Sequence, residues 1–213
     1  MVQTPAPSGS TAKDITTTVH KTGIDMTLWV FGYASLLWNP GFEVAERAQA
    51  RLDGYSRSFC MYSIHHRGTV ASPGLVLALD EQAGASCDDL ALRAAPGTEK
   101  ATLDYLRERE LISSAYLEKM LTVTLQDGRQ VQAVSYVIAP SHDQYCHLSL
   151  EEQADIIAGA VGGRGPNTEY LYNTAAHLAE IGIPDPDLQW LTEQVQTLRQ
   201  AGVPLRVANA FEP

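Results

Sequence analysis

The chain has 213 residues, with 15 basic and 25 acidic side chains and a formal net charge of −10. Hydrophobic residues make up 45% of the chain and charged residues 19%, a composition typical of a folded globular protein of one domain. The acidic charge disfavours nucleic acid as a partner, and no apolar run approaches the roughly 20 residues that cross a bilayer. With no signal-like N-terminus, we expect a cytoplasmic protein without a membrane partner.

The first predicted element is a flexible arm over residues 1–27, which is rich in Thr, Ser, Pro and Lys and has no apolar period. From Leu28 onward, short apolar segments bounded by Gly, Pro or Asp predict β-strands. These segments are WVFGYASL, ARLDGYSRSFCMYS, PGLVLALD and DDLALRAAP. The pair Asp127-Gly128 lies between two alternating runs and predicts a hairpin with a two-residue turn.

Four helices are predicted between and after the strands. Thr98 is the expected N-cap of the first, EKATLDYLRERELI, and Ser149 that of the second, SLEEQADIIAGAV. The third, NTEYLYNTAAHLAEIG, ends at Gly182, and DPDLQWLTEQVQTLRQAG is a last amphipathic helix. Strands and helices without a repeating strand-helix unit favour an α+β domain centred on a barrel or curled sheet.

Glu110 is the titratable residue that the helical pattern singles out. At about 100° per residue it shares a face with the apolar Leu106, whereas Glu108 points towards solvent. A carboxylate on an inward face is costly to ionise, and burial raises its pKa towards the range useful for proton transfer. Glu110 is therefore a candidate base, although a structural glutamate paired with Arg107 or Arg109 also fits this spacing.

The stretch SIHHRGT, residues 63–69, does not predict a metal site, because adjacent strand residues such as His65 and His66 face opposite ways. Arg67 could hold a carboxylate in a polar loop, although an exposed surface position is the commoner fate of a loop arginine. GGRGPN lacks the lysine and the preceding strand of a phosphate loop, so it is interpreted as a turn between helices.

No motif of a protein nucleophile is present. G-x-S-x-G is absent from the sequence, and three widely spaced cysteines match neither a disulfide framework nor a metal motif: Cys60, Cys87 and Cys146. We expect them to be buried thiols. Small residues instead interrupt the first strand, in LWVFGYASLLWNPG, where they would let a ligand approach the backbone.

Four motifs, in this order, resemble those of the γ-glutamylcyclotransferases of the glutathione-degrading ChaC-like branch. They are WVFGYASLLWNPG, HRGT with the following PGLVLALD, YLRERE and GPNTEYLYNT. The resemblance covers about residues 28–198 and leaves 199–213 as a C-terminal tail. It implies a small mixed β-barrel with flanking helices that converts glutathione to 5-oxoproline and cysteinylglycine without a cofactor or metal. A monomer is the default expectation.

The resemblance also implies roles for particular residues. Glu110 matches the catalytic acid/base of the family, and Tyr170 matches a residue that lines the pocket. The γ-glutamyl moiety would be bound, chiefly by backbone N–H groups, by Val30, Phe31, Gly32, Tyr33, Ala34, Ser35 and Leu36.

Two positions depart from the family pattern, with Ala34 in place of Gly and His65 in place of Asp. If position 34 has a positive φ, alanine costs roughly 1 kcal/mol there, and weaker activity or a shifted pocket would follow. Two alternatives stay open: an enzyme for other γ-glutamyl amines or peptides, and a non-catalytic protein that senses γ-glutamyl compounds.

Overall fold

The computed structural model describes residues 27–111 and 114–202. The predicted arm, except for Thr27, and the last eleven residues of the predicted tail lie outside these ranges. In chain order the elements are β1 (Trp29–Gly32), α1 (Ser35–Trp38), β2 (Val44–Ser63), β3 (Gly74–Ala94), α2 (Glu99–Glu110), β4 (Tyr116–Leu125), β5 (Gln130–Ile138), α3 (Leu150–Gly159), β6 (Val161–Gly162), β7 (Gly165–Pro166), α4 (Asn167–Glu180) and α5 (Pro186–Ala201).

Five strands close into a barrel in the order β1-β3-β2-β4-β5. β1 completes the barrel because it pairs antiparallel with β3 on one side and parallel with β5 on the other. Apolar side chains fill the interior, among them Phe31, Leu77 and Leu92, which are at most 2% exposed. The predicted α+β class with a small mixed barrel and flanking helices is therefore confirmed.

The two central strands are longer than the sequence predicts. β2 has 20 residues and β3 has 21, so PGLVLALD and DDLALRAAP belong to one strand rather than two. The glycines between apolar runs mark irregular pairing: Gly54 and Gly84 both have φ 82°, and the register shifts between Asp53 and Tyr55. Glycine signals of this kind arise at bulges as well as at turns, which explains the error.

The hairpin at Asp127-Gly128 is present between β4 and β5, but its loop differs from the expected two residues. Thr124 pairs with Gln130, and the Leu125 amide donates to the Arg129 carbonyl (2.8 Å). Three residues therefore connect the strands, with only Gly128 at positive φ (88°). This is the three-residue hairpin in which a turn is followed by one left-handed residue.

The four predicted helices are α2 to α5. Ser149 caps α3 in a reciprocal pair with Glu152, and Asp185 caps α5 by accepting from the amides of Asp187 and Leu188. Thr98 stands at the N-cap of α2 but makes no capping bond, since its hydroxyl donates to the Ala95 carbonyl (2.7 Å). α5 packs against both α3 and α4, beside the barrel.

A buried ion-pair network joins the barrel to this helical layer. Arg57 on β2 donates to Asp89 on β3 and, through Nη2, to the α5 cap Asp185 (2.6 Å). The Arg57 side chain is 5% exposed and the Asp89 side chain is fully buried. Removing the cation would leave a buried carboxylate without compensation, which is far more costly than losing an exposed pair.

We predict that Arg57→Met lowers the free energy of unfolding by about 3–5 kcal/mol, because it strands the Asp89 carboxylate. The matched control is Arg51→Met, on the same strand, since Arg51 pairs with Asp88 (2.7 Å) where both side chains are at least half exposed. That control should cost less than about 1 kcal/mol. Urea denaturation measures the free energy of unfolding of both variants. If Arg57→Met and Arg51→Met lose the same amount, the buried network does not stabilise the fold more than the exposed ion pair does.

Candidate active site

The predicted first strand ends at Gly32 rather than at Leu36, and a tight turn follows. The Leu36 amide donates to the Tyr33 carbonyl (3.3 Å), and Ala34, between them, has φ 51° and ψ −127°. These angles are those of the first central residue of a type II′ turn, a position that strongly favours glycine. An extended strand excludes them, which is why the strand stops here.

Ala34 therefore occupies a strained position. Among the described non-glycine residues it alone has a positive φ. Strain of this kind costs of order 1–3 kcal/mol and is commonly found at functional sites. The predicted restriction at position 34 is thus present, and the turn nevertheless forms with alanine.

The turn also leaves backbone donors without acceptors. Among the residues that the structure describes, the N–H groups of Tyr33, Ala34 and Ser35 donate no hydrogen bond, although Tyr33 and Ala34 are each only 6% exposed. By contrast Val30 lies inside the sheet, paired with Leu92 and Val134, and its side chain packs beneath α2. Of the three residues with unpaired amides, Ala34 and Ser35 have the small side chains that let a ligand approach the backbone. A buried unpaired amide requires a partner, and a bound ligand could supply one.

Glu110 is the last residue of α2, and its side chain is 17% exposed. Glu108, two residues earlier, is exposed, as the helical period predicts. Arg109 Nε lies 3.0 Å from Glu110 Oε1, while Arg107 instead pairs with Glu118 (2.6 Å). Glu110 is therefore both inward-facing, as expected of a candidate base, and paired with an arginine, as expected of a structural glutamate.

Arg109 connects Glu110 to the turn. Its Nη2 donates to the Ser35 hydroxyl (2.8 Å) and its Nη1 to the Asn39 carbonyl (2.7 Å). One guanidinium therefore holds the carboxylate at the end of α2 and the segment after β1 together. Sequence reasoning named Arg109 only as a pairing partner of Glu110 and missed this bridge, because its contacts are about 70 residues away along the chain.

Burial raises the pKa of Glu110, and the positive charge of Arg109 lowers it in part. The carboxyl group thus has a higher proton affinity than an ordinary surface glutamate. The Arg109 guanidinium, 3.0 Å away, still stabilises its charged form. This balance suits a group that must both accept and release a proton near neutral pH.

Tyrosines surround the carboxylate. Burial raises the pKa of four phenols, and the negative charge of Glu110 raises each of them further: Tyr33, Tyr116, Tyr136 and Tyr170. The Tyr33 hydroxyl donates to the Tyr136 carbonyl (2.7 Å). Sequence reasoning named Tyr170, and Tyr33 as part of the loop, but missed Tyr116 and Tyr136. Tyr116 is the first residue of β4 and Tyr136 lies near the end of β5, and no pattern in the sequence of α2 indicates that these two rings lie near Glu110.

The three cysteines are buried, as predicted. Burial raises the pKa of Cys60 to about 11 and those of Cys87 and Cys146 to about 12. These thiols therefore stay protonated at neutral pH and are poor nucleophiles.

The histidine pair lies in the loop after β2 rather than on a strand, and both side chains are exposed. His65 contributes its backbone carbonyl, which accepts from the Gly163 amide (2.8 Å), so the departure from Asp leaves this contact intact. In residues 27–111 and 114–202, no three His, Cys, Asp or Glu side chains are placed to hold a metal ion. No helix in these ranges is long and apolar enough to span a bilayer.

The closed barrel with a buried carboxylate beside a tight turn defines a small barrel domain with a candidate acid–base site. The chain belongs to the ChaC-like protein family, whose model matches residues 28–198. It is 35% identical over 178 residues to a glutathione-specific γ-glutamylcyclotransferase of Escherichia coli (strain K12). The aligned region covers 83% of this chain and 76% of the relative. The resemblance seen in the sequence is confirmed.

Other relatives agree with this assignment. A human glutathione-specific γ-glutamylcyclotransferase 1 is 30% identical over 214 residues, covering 98% of this chain and 93% of its own. A crystal structure of a glutathione-specific γ-glutamylcyclotransferase from yeast superposes with a TM-score of 0.72 at 23% identity, covering 82% of this chain and 98% of that one. At this identity the superposition shows the shared fold.

We predict that Arg109→Gln raises the pKa of Glu110, because the positive charge that favours the carboxylate is removed. The pH titration of the Glu110 side-chain carbon, followed by ¹³C NMR, measures the shift. Arg107→Gln is the control: Arg107 lies on the same helix but pairs with Glu118 on β4, so its replacement should leave the titration of Glu110 unchanged. A titration of Glu110 that is identical in the wild type and in Arg109→Gln would contradict the coupling.

We also predict that Ala34→Gly stabilises the protein by about 1 kcal/mol. Relief of the positive φ, worth roughly 1–3 kcal/mol, exceeds the roughly 0.4–1 kcal/mol of extra chain entropy that glycine adds to the unfolded state. Thermal unfolding should shift upward by about 2–4 °C. Ala95→Gly, at a buried loop position without a positive φ, should lower the melting temperature instead. A lower melting temperature for Ala34→Gly than for the wild type would show that the backbone at position 34 is not strained.

Proposed function

We propose that this protein is a glutathione-specific γ-glutamylcyclotransferase, which converts glutathione to 5-oxoproline and cysteinylglycine. The curated relatives that carry this activity in their names support the reaction and the substrate. The observation that carries the site assignment is the partly buried Glu110 carboxylate, held by Arg109 next to the Ala34–Ser35 amides.

The substrate supplies its own nucleophile in this reaction. The α-amine of the γ-glutamyl residue attacks the γ-carbonyl carbon, a new C–N bond closes a five-membered ring, and the bond to the cysteine nitrogen breaks. Holding the γ-glutamyl chain in a folded conformation makes this attack effectively unimolecular. The protein therefore needs to bend the substrate and relay protons from its α-nitrogen to the cysteine nitrogen.

Glu110 relays protons between the two nitrogens. As a carboxylate it accepts a proton from the α-ammonium, which frees the amine for attack, and the ring nitrogen then loses a second proton. The cysteine nitrogen gains two protons and leaves as an ammonium group, so Glu110 acts alternately as base and as acid. No proton is gained or lost over the cycle. The raised pKa of Glu110 brings its proton affinity closer to that of the groups it serves.

The amides of Ala34 and Ser35 stabilise the negative charge of the reaction. Attack on the γ-carbonyl places charge on its oxygen, and fixed backbone N–H donors stabilise such an oxyanion without reorganising. Like the Tyr33 amide, the amides of Ala34 and Ser35 have no acceptor within the described residues. Their side chains are small, so a substrate can approach the backbone closely.

We further propose that the enzyme works in the cytoplasm as a monomer, without metal or cofactor. Since both the nucleophile and the leaving group belong to the substrate, the reaction needs no redox step and no protein nucleophile. The protonated state of the buried thiols agrees with this chemistry.

We predict that Glu110→Gln lowers the rate of 5-oxoproline release from glutathione by about 10²–10⁴-fold, the usual contribution of a general acid–base group. The substitution preserves size and hydrogen-bonding capacity but removes the proton acceptor. Glu108→Gln, on the exposed face of the same helix, should retain the wild-type rate. Product release is followed by chromatography with glutathione in excess.

Three outcomes of this assay are informative. Wild-type turnover by Glu110→Gln would refute the role of Glu110. Wild type that turns over γ-glutamyl-alanine or γ-glutamyl-lysine faster than glutathione would indicate a different γ-glutamyl substrate. Wild type that binds glutathione but releases no product would indicate a sensor rather than an enzyme.

A further inference from the structure

Arg67 lies next to the proposed active site but has no part in the reaction described above. Its guanidinium carbon is 5.5 Å from the centroid of the Tyr170 ring, so the cation stacks on that ring. Phe59 packs edge-on against the same ring at 6.0 Å and holds it in place. Burial raises the pKa of the Tyr170 phenol, the charge of Arg67 lowers it and that of Glu110 raises it. Tyr170 therefore contacts Arg67 and is within electrostatic range of Glu110.

The loop that carries Arg67 is fixed by two hydrogen bonds and by one close backbone contact. The Arg67 amide donates to the Ser63 hydroxyl (3.0 Å), and the amide of Arg164 donates to the His66 carbonyl (2.9 Å). Gly68 packs so closely against the amide of Gly74 that an added Cβ would lie 2.0 Å from it. The position of the guanidinium is thus set by the fold before any ligand binds.

Much of the hydrogen-bonding capacity of this guanidinium is unused. Within the described residues, Nη1 alone is engaged: it donates to the Pro166 carbonyl (3.1 Å) and lies 4.0 Å from Glu169, an exposed carboxylate. Nε and Nη2 have no partner there, and neither is among the buried unpaired atoms. The side chain is 15% exposed, so a mostly covered cation keeps open donors. The planar edge formed by Nε and Nη2 matches the two oxygens of a carboxylate.

We propose that Arg67 binds the carboxylate of the C-terminal glycine of glutathione and thereby selects this tripeptide; this assignment rests on the proposed function. Two extended residues span about 7 Å, so the cysteinylglycine part can reach from the reacting γ-carbonyl across Tyr170 to a neighbouring cation. Simple γ-glutamyl amines lack a carboxylate at that distance. Arg67 is then a specificity residue and takes no part in proton transfer.

The test compares two substrates that differ only at this carboxylate: glutathione and its glycyl monoethyl ester. With wild type, kcat/KM for 5-oxoproline release should be about 10- to 100-fold lower for the ester, as expected when a charge-assisted hydrogen bond is lost. Arg67→Gln should lose a similar factor on glutathione and stay within about twofold of wild type on the ester, since that interaction is already absent there. Arg164→Gln, an exposed arginine of the same region, should behave as wild type on both substrates.

The outcomes separate this inference from the proposed function. If wild type releases no 5-oxoproline from glutathione, both are wrong. If wild type is active but Arg67→Gln lowers kcat/KM equally on both substrates, or on neither, the function stands and the role of Arg67 is refuted. If Arg67→Gln does not fold, Arg67→Lys replaces it in the test, because lysine keeps the positive charge. Arg67→Lys must show the same selective loss of kcat/KM on glutathione, to a smaller extent.

Discussion

The Arg109 guanidinium holds the candidate site together. Its three nitrogens contact the Glu110 carboxylate, the Ser35 hydroxyl and the Asn39 carbonyl, so they connect the end of α2 to the segment after β1. Within the described residues, Leu36 of the turn and Leu106 of the helix also belong to one apolar cluster. The distance between an acid–base group and an oxyanion donor must be fixed within fractions of an ångström, and a charged fork fixes it better than packing does.

The same contact determines how Glu110 titrates. Burial raises the pKa of the Glu110 carboxyl group, and the positive charge of Arg109 lowers it in part. A residue that acts first as base and then as acid benefits from such an intermediate state, because both proton transfers must remain feasible.

Local patterns in the sequence predicted the parts of this arrangement that depend on neighbouring residues. The helical period placed Glu110 inward and Glu108 outward, and capping residues located the helices. Long-range contacts were not predictable in this way: nothing near Arg109 indicates that it bridges to Ser35. Glycines gave ambiguous signals, since Gly54 and Gly84 interrupt the pairing of long strands without ending them. Barrel closure, in which β1 pairs with β5, is likewise a property of the whole sheet.

The turn after β1 shows how the function that we propose for its backbone would constrain the side chains around it. A donor amide can reach the substrate only if the residues beside it are small and the chain turns sharply, and a sharp turn of this type requires a positive φ. Glycine satisfies both requirements without strain, and Ala34 satisfies only the first. Its strain persists because the turn is fixed on both sides, by the pairing of β1 in the barrel and by the contact of Ser35 with Arg109. The protein thus tolerates alanine at the turn because the surrounding fold, rather than the residue itself, imposes the conformation.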